Sequence, residues 1–345
     1  MNLYLATPDA AQIQKVFSAV LRDSHGVEVH LEKWTAHLLA EREKRRILRY
    51  DLVVRAPGAA QPHRHQWVGK FYAQKQNGVG ARAAAVLRAL AATDCRVRGN
   101  MALPEVIAYD APLGLLLLRY EEGEPVLNVL AQHRTEILSA MGRALAALHT
   151  TAVIVEPETS PATLLADLRL RVAELCTRLP GEANTFRDGL TALERRSPAA
   201  PPCLLHGDFG AGQLVWQQHR LVVLDFDKCT RGDPAFDLGN LLTQLQRIAI
   251  REPATLPDFS SVRRQVLDSY QRWTGPDPDL SERVAWYQRA RLLRRIHVLA
   301  CDARMHRQAE AIRLVGELRA QTDAAPAGIE NINKCTGSGD TAGWC

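Results

Sequence analysis

The sequence lacks the long apolar segments that membrane proteins need. A typical apolar run, Leu115–Leu118 after Gly114, has the length of a strand, whereas a spanning helix takes roughly 20 residues. The N-terminal segment also lacks a basic region followed by an apolar one, so no secretion signal is expected. These absences predict a cytoplasmic protein with no membrane partner.

The sequence also lacks paired cysteine motifs and a large excess of either charge. Seven cysteines, none at C-x-x-C spacing, predict free thiols rather than a disulfide framework. The 43 basic and 38 acidic residues leave a net charge of +5. This small excess does not require a nucleic acid, and no nucleic-acid partner is predicted. The patterns G-x-x-x-x-G-K-[ST] and G-x-S-x-G are absent, which excludes two common enzyme classes.

What is present predicts a globular α+β protein. Apolar residues make up 46% and charged residues 23% of the 345 residues, and at roughly 150 residues per domain this length suggests two lobes. A strand-rich region is predicted first, with a helix at 81–92 and strands at 47–56, 66–73, 104–107 and 114–119. Apolar residues at helical spacing then predict helices at 183–195, 259–273, 280–299 and 302–320. We therefore divide the chain into 1–119, 120–321 and a disordered tail, 322–345.

The segment from 204 to 242 carries the most informative chemistry. Its short apolar strands, Leu214–Trp216 and Leu221–Leu224, predict a hairpin inside the helical region. Asp208 and Gln213 precede the hairpin, and Asp225 and Asp227 follow it, so carboxylate and amide oxygens can converge at one end. Hard oxygen ligands of this kind suit Mg²⁺.

This segment resembles the signature of the aminoglycoside phosphotransferase and choline kinase superfamily. The order is H-G-D, four residues, a side-chain amide, a strand ending in an acid–aromatic pair, and G-D-P-A-x-D-L. The resemblance implies a bilobal, protein-kinase-like fold with a strand-rich N-terminal lobe and a mainly helical C-terminal lobe. It also implies a small-molecule kinase that uses ATP and Mg²⁺ and phosphorylates a hydroxyl group.

The resemblance assigns a role to each matching residue. Asp208 is the expected catalytic aspartate, which orients the acceptor hydroxyl and takes its proton. Asp225 and Gln213 are the expected metal ligands, and Asp237 is expected to brace the catalytic loop. Gln213 replaces the asparagine usual in the family, and maltokinases look similar here, so we interpret it as a subfamily trait. Asp227 is open to two readings, a second metal ligand or a solvated turn acid, and the second is favoured.

Lys70, embedded in the apolar stretch 67–72, is the expected phosphate-binding lysine. The alternative is an edge-strand lysine whose amine reaches solvent. The helix after it, at 80–90, has no glutamate, so Glu105, another acid, or phosphate alone must balance its charge. No glycine-rich loop is evident between Ile47 and Lys70.

The stretch Leu115–Gly123 is expected to link the two lobes. In the family, backbone groups at this hinge bind adenine, which implies that Arg119, Tyr120 and Glu121 lie near the base.

The acceptor is less well defined. Residues 281–320 contain nine arginines and four acids. A polycationic aminoglycoside requires an acidic wall, so a neutral or anionic acceptor is mildly favoured, although a solvated arginine face explains the count equally well. A catalytically weak pseudokinase that binds nucleotide or a partner remains an alternative, and a protein-substrate kinase is a smaller one. The G-x-G-x-x-A match at 78–83 is a weak sign of a dinucleotide site.

Overall fold

The computed structural model describes residues 9–25, 29–42, 45–73 and 76–323. The chain forms two compact units. One comprises Met1–Ala166 and Ser197–Arg291, and the other comprises Asp167–Arg196 and Leu292–Cys345. The tail predicted for 322–345 lies, from residue 324 onward, outside the described residues.

Strands predominate in the first third of the described chain, and helices predominate in the rest. The strands are β1 (His30–Arg42), β2 (Arg45–Arg55), β3 (His63–Tyr72), β4 (Met101–Ala102), β5 (Val106–Asp110), β6 (Leu115–Arg119), β7 (Glu124–Pro125), β8 (Cys203–Leu205), β9 (Leu214–Gln217), β10 (Arg220–Val223) and β11 (Thr230–Gly232). The helices are α1 (Ala10–His25), α2 (Asn77–Ala91), α3 (Cys95–Gly99), α4 (Val126–Val129), α5 (Arg134–His149), α6 (Pro161–Arg178), α7 (Ala183–Arg195), α8 (Ala235–Arg251), α9 (Phe259–Thr274), α10 (Leu280–Ala300) and α11 (Met305–Asp323). This distribution confirms the predicted α+β class.

The N-terminal region is built on an antiparallel sheet with the strand order β1-β2-β3-β6-β5. Its apolar residues bury both faces at the centre, where Leu115, Leu116 and Leu117 have no exposed surface. On one side, the ring of Phe17 from α1 lies edge-on to Tyr50 at 5.0 Å and to Trp67 at 5.4 Å between centroids. Burying such side chains stabilises the fold by about 1.5–3 kcal/mol each.

Strand β1 was not predicted from the sequence. Its residues include the helix formers Leu38, Leu39, Ala40 and Glu41 and show no regular alternation of apolar and polar side chains. The strand forms because it pairs with β2 along nearly its whole length, with two irregularities in register. Tertiary pairing therefore overrides local propensity here, and it places Lys70 on the third strand of the sheet.

The predicted hairpin is present as β9 and β10, which pair antiparallel through Val223 and Leu214. β4 and β7 flank the hairpin in a four-stranded sheet. Behind it, α5 and α9 pack so closely that a Cβ atom at Gly142 would lie 2.6 Å from the carbonyl oxygen of Val266. This helix pair carries His149 and Tyr270, whose side chains are buried and hydrogen-bonded to each other under the loop that carries Asp208.

The second unit is helical and has its own apolar core. α7 packs against α11 through buried residues that include Phe186, Leu193, Leu314 and Leu318. Among the described residues of the whole chain, no helix combines the length and the apolar character needed to cross a membrane.

Candidate active site

Asp225 and Asp227 lie at the centre of a cluster of opposite charges. Lys70 Nζ contacts Asp225 Oδ1 at 2.7 Å and Asp227 Oδ1 at 3.1 Å. Arg45 Nη1 donates to Asp225 Oδ1 at 2.9 Å and also contacts Asp227. The hydroxyl of Tyr72 donates to Asp227 Oδ1 at 2.8 Å. The cluster therefore joins the N-terminal sheet to the end of the hairpin.

Strand pairing explains why the cations converge. Arg45 is paired in register with Tyr72, and Ile47 is paired with Lys70. Because side chains alternate along a strand, Lys70 and Tyr72 share one face of β3. That face is the one that meets the acids after β10.

The backbone at Asp225 has the left-handed conformation, with φ of 66°. Few residues other than glycine adopt this region, and aspartate is one that tolerates it. The chain then enters a short 3₁₀ turn, Phe226–Lys228, in which Phe226 is buried. This sharp change of direction after β10 turns both carboxylates toward Lys70, and such conformations are typical of functional sites.

The electrostatics of the cluster favour its charged state. Burial opposes the ionisation of Asp225, but the charges of Lys70 and Arg45 outweigh it and hold the pKa of this carboxyl well below its usual value. For Tyr72, burial together with the charge of Asp227 raises the pKa far above its usual value, so the hydroxyl stays protonated and remains a donor. The site brings together two carboxylates, Asp225 and Asp227, and two basic side chains, Lys70 and Arg45.

Asp208 lies on a loop that packs directly on the 3₁₀ turn. The preceding Gly207 has φ of +81°, and a Cβ atom there would lie 2.0 Å from the carbonyl oxygen of Lys228. Only glycine allows both this conformation and this approach. Lys228 Nζ contacts Asp208 Oδ2 at 2.7 Å, and the Lys228 side chain is largely exposed. The catalytic candidate is thus held next to the metal-ligand candidate Asp225.

The fully buried Asp237, on α8, fixes this loop from below. Its carboxylate accepts hydrogen bonds from the backbone N–H groups of His206 at 2.7 Å and Gly207 at 2.9 Å. His149 Nε2 lies 3.3 Å from the same carboxylate, and Tyr270 bonds the other ring nitrogen. Burial opposes ionisation of Asp237, yet the hydrogen bond from His149 and the charges around it lower its pKa. These contacts are those expected of a brace.

The contacts of His206 give it a structural role. Its Nε2 donates to the carbonyl oxygen of Leu224 at 2.9 Å, so Nδ1 is free to accept from the Asp208 backbone N–H at 3.4 Å. The ring also packs against Phe209 and Phe226. His206 therefore connects the Asp208 loop to the segment that runs from the end of β10 to Asp225.

We expect Asp237→Asn to destabilise the protein by about 2–3 kcal/mol, because the carboxylate holds two buried backbone N–H groups through charge-assisted bonds. Denaturant unfolding measures the change. The matched control is Asp94→Asn, whose side chain is 69% exposed and pairs with Arg98, and its effect should stay below about 1 kcal/mol. Equal effects of the two substitutions would contradict the bracing role.

Gln213 is placed beside the other metal-ligand candidate by the hairpin. Its backbone carbonyl accepts from the N–H of Leu224 at 2.9 Å, one residue before Asp225. In the orientation that satisfies its amide, Nε2 donates to the carbonyl oxygens of Asp208 at 3.2 Å and Gly210 at 3.3 Å. The amide group is thereby held against the Asp208 loop, and its oxygen faces away from those two carbonyls.

The hinge candidates follow β6. Arg119 pairs with Glu105 at 2.6 Å, and both side chains are at least half exposed. The backbone N–H of Tyr120 donates to Gln66 at 3.0 Å, and Arg49 lies over its ring. Glu121 is half-buried, and burial raises the pKa of its carboxyl. Glu105 is therefore committed to Arg119, and within the described residues the acids that balance Lys70 are Asp225 and Asp227.

One interpretation of the sequence is corrected by the structure. Asp227 is not a solvated turn acid, since its side chain is 9% exposed and contacts Lys70, Arg45 and Tyr72. The glycine of the 78–83 match that packs most closely is Gly80, where a Cβ atom would lie 2.8 Å from the ring of Tyr72. Close packing of α2 on the sheet accounts for this glycine, with no need for a dinucleotide.

Sequence reasoning missed Arg45, Tyr72 and Lys228. Arg45 stands in the charged stretch 41–46 and is 180 residues from its partner Asp225, so no local pattern marks it. Tyr72 did carry a signal, because it follows Lys70 by two residues on a predicted strand and so shares its face. Lys228 directly follows the acid–aromatic–acid triplet that was recognised.

A second cluster, in the helical unit, contains Glu174, His297 and Cys301. His297 Nε2 lies 2.8 Å from Glu174, and Arg171 donates to His297 Nδ1 at 3.0 Å. The imidazole therefore carries its proton on Nε2 and donates it to the carboxylate. These groups satisfy one another as an ion-pair network.

Comparison with known proteins identifies the family. A sequence model described as the phosphotransferase enzyme family matches residues 59–286, more than half of the chain. The chain belongs to the phosphotransferase enzyme family. No curated protein matches it.

Solved structures share the kinase-like fold of this phosphotransferase. A thermostable mutant of the aminoglycoside phosphotransferase APH(4)-Ia, in a ternary complex with ADP and hygromycin B, is 16% identical, with a TM-score of 0.60 and coverage of 90% of this chain and 99% of that one. A choline/ethanolamine kinase family protein from Mesorhizobium loti is 17% identical, with a TM-score of 0.55 and coverage of 91% and 95%. The APH(2")-IIa complex with streptomycin and ATP is 15% identical, with a TM-score of 0.57 and coverage of 91% and 99%.

The region matched by the phosphotransferase family contains Lys70, Asp208, Gln213 and Asp225. It begins after β2, so Arg45 precedes it. The contribution of Arg45 to the site is therefore a feature of this chain that the family match does not cover.

Proposed function

We propose that this phosphotransferase moves the terminal phosphoryl group of ATP to a hydroxyl group of a small molecule, with Mg²⁺ bound. The observation that carries the proposal is the convergence of Lys70 and Asp225 beside the loop of Asp208. A phosphate-binding cation, an oxygen-rich metal position and a carboxylate base are the parts that phosphoryl transfer requires.

In this proposal residues 1–119 form the nucleotide-binding lobe and residues 120–321 carry the catalytic and acceptor-binding groups. Lys70 binds the α- and β-phosphates, and Arg119, Tyr120 and Glu121 lie at the adenine. Nucleotide-bound relatives of the same fold support this arrangement.

The donor set fits Mg²⁺. Asp225 and Gln213 supply a carboxylate and an amide oxygen, the hard ligands that this ion takes, and few protein ligands suffice because it retains water and phosphate oxygens. When bound, the ion supplies neutralisation of phosphate charge. The chain itself orients the ligands, through the left-handed backbone at Asp225 and the hydrogen-bonded amide of Gln213.

Asp208 performs the acid–base step. The acceptor hydroxyl donates its proton to the Asp208 carboxylate as its oxygen forms the bond to phosphorus, and the bond from phosphorus to the leaving oxygen of ADP breaks. Lys228 holds the carboxylate at 2.7 Å before the acceptor arrives. Asp237 and His206 keep the loop in place, so catalysis rests mainly on alignment and electrostatics.

For the acceptor we propose a sugar, an aminoglycoside or an amino alcohol, with neutral or anionic compounds mildly favoured. The arginine excess in 281–320 supports this preference. The structure reduces its weight, because Arg283 pairs with Asp277, Arg304 with Asp302 and Arg319 with Glu182.

The competing function is a nucleotide-binding module without transfer. It is favoured by the ion pairs of Asp225, whose carboxylate is occupied by Lys70 and Arg45. A metal ion at Asp225 would compete with these cations for the carboxylate oxygens.

ADP release with Mg²⁺ and ATP, measured against a panel of sugars, aminoglycosides, choline and other amino alcohols, tests the two functions. Release that depends on one acceptor class supports transfer and identifies the substrate. Nucleotide-dependent thermal stabilisation without release on any acceptor would reject transfer in favour of the binding module. Labelling of lysate proteins by radioactive ATP would instead indicate a protein substrate.

A further inference from the structure

In protein-kinase-like folds a glycine-rich loop between the first two strands of the sheet covers the nucleotide phosphates. In those folds the phosphate-binding lysine lies on the third strand of the sheet, and Lys70 lies on β3 here. The sequence from the end of β1 to the start of β2 reads Glu41-Arg42-Glu43-Lys44-Arg45 and contains no glycine. A loop of such residues cannot approach phosphate through its backbone as closely as glycine does, so the phosphates need another donor.

Arg45, the first residue of β2, places its charge beside Asp225 and Asp227. Its guanidinium contacts Asp225 at 2.9 Å and 3.3 Å and also contacts Asp227. Its side chain is 20% exposed. The next residue, Arg46, points to the opposite face of β2 and donates to Glu41 at 2.9 Å. The two neighbouring arginines therefore have different surroundings.

The charges of the cluster indicate what happens when ligands enter. Arg45 and Lys70 balance Asp225 and Asp227, so the cluster is neutral without ligand. A metal ion and a polyphosphate bring charges of both signs. Asp225 would hold a metal ion with the same oxygens that contact Arg45 and Lys70, and both cations would then be available to donate to phosphate oxygens. A planar guanidinium donates two parallel hydrogen bonds to a phosphate as readily as to a carboxylate.

We propose that Arg45 is a phosphate-binding residue of this enzyme and replaces the glycine-rich loop by exchanging its carboxylate partners for phosphate oxygens when metal and nucleotide bind. The proposal rests on the proposed function, in that it concerns the same nucleotide site. It goes beyond the family match, which begins after Arg45 in the sequence.

The test compares nucleotide binding to the wild type, Arg45→Gln and Arg46→Gln by calorimetry with Mg²⁺ present. Arg45→Gln should weaken ATP binding by about tenfold or more, since a charge-assisted bond to phosphate is lost. Adenosine, which lacks phosphates, should bind the wild type and Arg45→Gln with equal affinity. Arg46→Gln should bind ATP like the wild type. Arg45→Lys, which keeps the charge without the planar fork, should give an intermediate loss and shows that the position tolerates substitution.

Two results would overturn the proposal. ATP binding by Arg45→Gln that equals or exceeds that of the wild type would show that Arg45 only competes with the metal for Asp225. An equal loss for adenosine and ATP would show that Arg45 maintains the structure and does not bind phosphate. If ATP binding depends on Arg45 but no acceptor is phosphorylated, the inference stands and transfer alone is rejected. If the wild type binds no ATP, both fail.

Discussion

Asp208→Asn should lower kcat for acceptor phosphorylation by about 10²–10⁴, the usual contribution of a positioned general base. The substitution keeps the shape of the side chain but removes its ability to take the proton of the acceptor hydroxyl. ATP affinity should change little, because Lys70, Arg45 and Asp225 remain in place. Steady-state ADP release with the identified acceptor gives kcat, and calorimetry gives the nucleotide affinity.

Stability separates this effect from general damage. The partner of Asp208 is Lys228, whose side chain is 65% exposed, and exposed pairs contribute about 0–1 kcal/mol. The unfolding free energy of Asp208→Asn should therefore stay close to that of the wild type and of the control Asp94→Asn. An Asn variant that retained full turnover would exclude Asp208 as the base.

The sequence predicted the parts of the site that are adjacent along the chain. Asp208, Gln213 and Asp225 fall within 18 residues, on one hairpin and the loops at its end. Local order is sufficient there, because antiparallel strands return the chain to where it started. Lys70 was recognisable because a lysine inside an apolar strand needs a nearby anion.

Local sequence patterns could not predict the contacts between segments that are distant along the chain. The pairing of β1 with β2 overrides a helix-forming sequence, and without β1 the position of Arg45 beside Asp225 could not be inferred. Asp227 was misread because its neighbours Asp225 and Lys228 are polar. Its burial comes from the face of β3 that carries Lys70 and Tyr72, which lies 155 residues away along the chain.

The proposed phosphoryl transfer and the proposed role of Arg45 both depend on Asp225. The same carboxylate oxygens bind Arg45 and Lys70 in the structure and are the expected ligands of Mg²⁺. In these proposals metal binding and phosphate binding are coupled, because a metal ion held by Asp225 would leave both cations available to phosphate. Such coupling predicts that Mg²⁺ and ATP each raise the affinity for the other.

Asp225→Asn breaks that coupling and should have the second large effect. With Mg²⁺ and ATP present, kcat for acceptor phosphorylation should fall at least as far as in Asp208→Asn. The dependence of ATP affinity on Mg²⁺ should disappear. Binding of ATP without metal should not weaken, since Lys70 and Arg45 lose a competing anion and remain available to phosphate. Titrating ATP into both variants with and without Mg²⁺ separates the roles: Asp208→Asn should keep the metal dependence and Asp225→Asn should lose it.

The same variant also has a stability signature that depends on pH. Removing the charge of Asp225 leaves the buried Lys70 with Asp227 as its remaining anion, and the loss of one charge-assisted bond should cost about 1–3 kcal/mol. The pKa of Asp225 is lowered in the folded protein from an ordinary value of 3.8. Its stabilising contribution is thus fully present above that value and is lost as pH falls below it toward the lowered folded pKa. Thermal unfolding of the wild type and Asp225→Asn should differ most near neutral pH and converge on acidification. A difference that stayed constant down to strongly acidic pH would show that the ion pairs of Asp225 are not its source.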